Sequence, residues 1–115
     1  MPGAEGLQQL AVDLVPDLQR LDIELAGLQE LRRPGEGEEL LLDGQWKLLW
    51  AGQQQARLHG VGLVLSPVWQ QALLGWSGLG HRLLMARFRC TAGPALTVVV
   101  AYAPTEAAPV QPRGR

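Results

Sequence analysis

Apolar residues recur at Leu7, Leu10, Ala11, Leu14, Leu18 and Leu21, spacings of three and four that draw one stripe along a helix. Gln8, Gln9, Asp13, Asp17 and Arg20 fall off that stripe. Pro16 lies inside it, removes an amide donor and crowds the carbonyl of Val12, which predicts a kink or a split helix. The period then changes. Ile23, Leu25 and Gly27 alternate with Glu24 and Ala26, predicting a short strand that ends near Gln29. Residues 32–39 are polar and rich in Gly and Pro, and read as a loop. Strand patterns follow at 46–50 and Gly60–Leu65, separated by a polar loop with three consecutive glutamines. Ser66-Pro67 supplies an N-cap and a first-position proline for one or two helical turns within 67–76. Residues 82–89 alternate, with Leu83, Met85 and Arg87 on one side and Leu84, Ala86 and Phe88 on the other. Gly93-Pro94 marks a turn. The β-branched run Thr97-Val98-Val99-Val100 suits a central strand that closes a hairpin with the preceding one. After Pro104 the chain turns to Ala, Pro and Arg.

The order of helix, strand, loop and three or four further strands predicts an α+β chain: a layered α/β sandwich with a mostly antiparallel sheet. With 115 residues it has the length of one small domain, placed at 1–106 with a disordered tail at 107–115. A hydrophobic fraction of 47% against 18% charged residues excludes disorder throughout. Ten Lys and Arg against eleven Asp and Glu leave a net charge of -1, which argues against a strongly basic nucleic-acid binder and leaves room for a local basic patch. A single cysteine, Cys90, excludes an internal disulfide framework and an all-cysteine zinc site. No apolar run approaches the roughly 18 residues of a membrane span. Residues 1–6 lack the basic start and apolar stretch of a signal peptide, so a cytoplasmic or nuclear location is expected.

Three segments in order, residues 22–30 (DIELAGLQE), 59–66 (HGVGLVLS) and 96–105 (LTVVVAYAPT), resemble the N-terminal half of the endonuclease/exonuclease/phosphatase family. The pattern is most similar to the endonuclease domains of LINE-type retrotransposons and their host-derived relatives, the craniofacial development protein 2-like proteins. The segment 80–88 (GHRLLMARF) matches the same subgroup. The resemblance covers about residues 10–105. It implies a sandwich of two β-sheets flanked by helices, and hydrolysis of DNA phosphodiesters assisted by Mg2+. A hard cation with carboxylate and water ligands neutralises charge on the phosphate and helps form the nucleophile. Residue by residue, Glu30 matches the metal-binding glutamate at a strand's carboxyl end and Tyr102 the tyrosine facing the scissile phosphate. Arg32, Arg82 and Thr105 match substrate-binding positions around the same rim.

The resemblance also implies gaps. The chain contains no asparagine, so the family's opening-strand asparagine has no counterpart, and the second-half Asp, Asn and Asp-His groups are lacking. The expectation is therefore a truncated domain of retrotransposon origin that does not cleave DNA alone. The other reading is a non-catalytic module that exposes an apolar sheet face to a second copy or a partner chain. Read without the family, Glu30 is an ordinary carboxylate after a strand, and Tyr102 a strand-end ring with a wet hydroxyl. His59 and His81 lack zinc-ligand spacing. The glycines of Gly60-Val61-Gly62 suit close strand packing better than a nucleotide loop. Arg32, Arg33, Arg82, Arg87 and Arg89 form either a basic rim or a solvated face. The four tryptophans suit core or interface positions, and Cys90 an inert, partly buried thiol.

Overall fold

The computed structural model describes residues 2–29, 31, 33–41, 45–52, 60–80 and 82–103. Helix α1 (Pro2–Arg20) comes first, then β1 (Leu25–Gln29), β2 (Glu36–Leu40), β3 (Lys47–Gly52) and β4 (Gly60–Leu65). Helix α2 (Pro67–Ala72) and strands β5 (Leu73–Gly78), β6 (Leu83–Phe88) and β7 (Leu96–Ala101) follow. The strands make two antiparallel sheets, ordered β1-β4-β3-β2 and β5-β6-β7. The expected α+β class holds. The tail assigned to 107–115 lies outside the described residues.

Pro16 does not split the helix, which runs unbroken to Arg20. Its buried face is set by Val15 and Leu18, with Leu14 beside them. Leu21, counted on the stripe, is instead exposed because the helix has already ended. Asp22 takes the left-handed conformation, φ 61°, that a helix C-terminus most often gives to glycine. The Ile23 amide then donates to the Leu18 carbonyl (2.8 Å) and the Asp22 amide to that of Gln19 (3.2 Å), closing the last turn.

The first sheet is covered on both faces, and β4 is buried throughout. Val64, Leu48, Trp46 and Trp50 pack under α1. Leu49, Ala51, Val61, Leu63 and Leu65 face Leu84, Ala86, Phe88, Val100 and Tyr102 of the second sheet. This alternation is the one expected for β6, whose even-numbered residues are the buried ones. Gly60 and Gly62 serve close packing as expected: a Cβ at Gly60 would stand 2.6 Å from the Leu31 carbonyl oxygen. Trp69 meets Phe88 edge-on, ring centroids 4.9 Å apart.

Four expectations are corrected. Residues 36–40 form an edge strand, not a loop, because β3 supplies its hydrogen-bond partners and an edge tolerates glutamates. Helix α2 stops at Ala72, and 73–78 form β5, with a register shift between Leu73 and Gly75 that keeps Leu73 and Trp76 against the core. β7 is an edge strand and β6 the central one. Cys90 follows the end of β6 and is exposed, not partly buried.

Candidate functional site

Helix α2 begins at Ser66, as its sequence predicts. The Ser66 hydroxyl accepts from the Trp69 amide (3.4 Å) and donates to Glu24 Oε1 (2.9 Å). The Ser66 amide donates to the Glu24 carbonyl (3.0 Å), so the helix start is fastened to the entry of β1. β1 then runs antiparallel to β4 and ends at Gln29.

At that end the two sheets meet. Gln29 Nε2 donates to the carbonyl oxygen of Ala101, the last residue of β7, at 2.8 Å. One residue farther along β7's path, the Tyr102 amide donates to the Arg82 carbonyl (2.9 Å). Tyr102 is buried, with its ring in the cluster between the sheets, and the Arg82 side chain is exposed in the turn before β6. Two of the expected site residues, Tyr102 and Arg82, are thus backbone partners opposite one another at the end of the β6–β7 ladder. Glu30, Arg32 and Thr105 lie outside the described residues, as do His59 and His81. Glu30 is the residue after Gln29 in sequence, and Tyr102 the residue after Ala101.

Gln29 was not singled out by its sequence. The signal was present, however: with Leu25 and Gly27 it occupies the alternate positions of β1 on the side of the second sheet. An amide on that side can reach across to the backbone of the second sheet, and Gln29 does so while remaining exposed. Below this bridge, β1 and β7 border an open cleft of about 610 Å³, lined by Leu25, Gly27, Leu63, Val98 and Val100 among others.

Arg33 does not join a basic rim. Its guanidinium lies 4.1 Å over the Trp50 ring, and Nη2 donates to Glu39 Oε1 at 2.8 Å, which fixes it against β2 and β3. Arg87 and Arg89 are exposed. Among the described residues no three His, Cys, Asp or Glu side chains gather into a metal-binding group. No helix is long and apolar enough to cross a membrane, judged over the described residues.

The chain is similar to craniofacial development protein 2. It is 32% identical to the Bos taurus protein over 89 residues, 77% of this chain and 14% of that protein. The Tragulus javanicus protein gives 32% identity over 77% of the chain and 15% of its own length. The chain thus spans about one seventh of the curated relatives it matches. No family model matches it, and no solved structure matches it with significance.

Proposed function

We propose that this chain is a scaffold of the endonuclease/exonuclease/phosphatase type, of retrotransposon endonuclease descent. In this reading it meets a nucleic-acid backbone where β1 and β7 run out, and does not hydrolyse phosphodiesters alone. The supporting observation is the Gln29–Ala101 hydrogen bond, which ties together the two strand ends that lead into Glu30 and Tyr102. The likeness to craniofacial development protein 2 supports the same reading. Arg82, Arg32 and Thr105 would contact phosphate oxygens, with Tyr102 orienting the phosphate between them. Glu30 would be what remains of a Mg2+ site. One carboxylate holds Mg2+ weakly, because the ion dehydrates reluctantly and wants near-octahedral oxygen geometry.

The test has two arms. In fluorescence anisotropy with a labelled DNA duplex, binding is expected to fall with rising salt and to weaken in Arg82→Ala. Absence of binding at low salt would overturn the backbone-contact reading. In a plasmid assay with Mg2+, the supercoiled form is expected to persist. Nicking that disappears in Glu30→Gln would show instead that the chain is a working nuclease.

A further inference from the structure

Four strands lie at sheet edges: β1, β2, β5 and β7. An edge strand presents a row of amides and carbonyls that another strand can take up, and charges or bulges ordinarily guard it. Two of these edges are guarded. β2 carries Glu36, Glu38 and Glu39, and β5 carries a register shift between Leu73 and Gly75. The other two are not. β1 (Leu25–Gln29) and β7 (Leu96–Ala101) contain no charged residue and no proline, and four of the six β7 residues are β-branched.

The unguarded edges share one flank, bridged by Gln29 and Ala101. The ladder fixes which groups β7 offers. Tyr102 pairs with Arg82 through its amide, and opposite residues in an antiparallel ladder alternate between bonded and non-bonded pairs. Val100, Val98 and Leu96 therefore bond to β6, and Thr97, Val99 and Ala101 turn their backbone groups outward. The Val99 side chain is 55% exposed on the outer face of the second sheet, and Leu96 is 41% exposed.

We propose that this flank is the interface of a symmetric homodimer, in which β7 pairs antiparallel with β7 of a second copy about a two-fold axis at Val99. The two three-stranded sheets become one sheet of six. Val99 faces its own counterpart, and Thr97 faces Ala101 of the other copy. A two-fold axis sets each residue against the same strand of the partner, so charge decides which edge is used. Pairing through β2 would oppose three glutamates with three more, whereas β7 opposes uncharged β-branched residues, a favourable cross-strand combination. Ala101's carbonyl has a second lone pair beyond the Gln29 bond. Residues 104–115 are a poor substitute occupant, because Pro104, Pro109 and Pro112 leave no proline-free run longer than four residues.

Sedimentation equilibrium of the full chain at micromolar concentrations tests this directly. A defined dimer is expected. Val99→Pro removes one outward amide per copy and none of the β6 bonds, and should raise the dissociation constant by at least about tenfold. Val99→Lys places like charges face to face and should act in the same direction, relieved by salt. Val68→Lys, at an exposed position on α2, should leave the dimer intact. Hydrogen exchange gives a readout without mutation: the Thr97 and Val99 amides should be protected, more so at higher concentration. A monomer, a dimer indifferent to both Val99 variants, or fast-exchanging Thr97 and Val99 amides would overturn the proposal. So would pairing of this edge only with a strand from another protein. Failure here leaves the DNA assays untouched, since they read Arg82 and Glu30.

Discussion

Where β2 meets β5, side chains fasten the sandwich; where β1 meets β7, the described residues border an open cleft that the Gln29 amide bridges. On the first flank Trp76 Nε1 donates to Glu38 Oε1 (3.2 Å), and Lys47 Nζ stands 3.9 Å from the same oxygen. At the same edge, on the face of the first sheet that lies under α1, Arg33 lies over Trp50, and Trp50 Nε1 donates to the Pro34 carbonyl (3.3 Å). On the second flank the Gln29–Ala101 bond spans a cleft lined by leucine, valine and glycine. The difference separates two uses of an edge. A flank full of directional contacts is complete within one chain. A flank of bare backbone and short apolar side chains has capacity left for another strand or a ligand.

Glycine substitutions probe this contrast most sharply, because both flanks place a glycine under a neighbour. The largest effect is expected at Gly52, the end of β3, whose amide donates to the Gly35 carbonyl at 2.8 Å. A Cβ there would stand 2.1 Å from the carbonyl oxygen of Arg33, a backbone atom that cannot rotate away. Gly52→Ala should therefore cost about 3 kcal/mol or more in urea unfolding, at the upper end of overpacking penalties. A loss below about 1 kcal/mol would mean that the fastened flank yields as readily as the open one.

Gly37 comes next. A Cβ there would stand 2.6 Å from two atoms of the Trp50 ring, so the ring would have to move and disturb its place beneath Arg33. Gly37→Ala should cost about 1 to 3 kcal/mol, with a change in tryptophan fluorescence that Gly52→Ala need not show.

These two glycines also show where the sequence was legible. Strands with strong local signals were readable: the unbroken apolar run of β4, the alternation of β6 and the valines of β7. The Ser66-Pro67 helix start was readable because capping is a local matter. Residues 36–40 were not, since EGEEL has neither apolar alternation nor a β-branched residue. Its strand exists because β3 lies beside it, and that pairing is a tertiary fact. β5 was hidden for a related reason, with the helix running directly into the strand and no turn residue between them. For the site, Tyr102 and Arg82 were nominated by a family resemblance, and the structure makes them backbone partners. The Gln29 bridge between the sheets depends on a strand 72 residues away, a distance that no periodic pattern encodes.

Arg33 should be worth less than either glycine. Its side chain is 24% exposed and its partner Glu39 36%, so solvent screens much of the ion pair. Arg33→Ala should cost about 1 kcal/mol, combining lost cation–π contact with lost packing on Trp50. A double-mutant cycle with Glu39→Gln separates the two contributions. A coupling energy near zero would assign the effect to the ring alone.

The smallest effect belongs to the open flank. A Cβ on Gly27 would stand 3.3 Å and 3.4 Å from the Val100 methyl carbons, contacts that a shift of a few tenths of an ångström accommodates. The neighbour is the end of a side chain beside a cleft, with room on the far side. Against that small strain stands a gain, because glycine in a strand interior loses more conformational freedom on folding than alanine does, by roughly 0.5 to 1 kcal/mol. Gly27→Ala should therefore leave stability within about 0.5 kcal/mol of the parent chain, with a slight increase as the preferred sign. Equal destabilisation in Gly27→Ala and Gly37→Ala would show that the β1–β7 flank is as tightly packed as the other. The contrast that assigns this flank to a second copy would then fail.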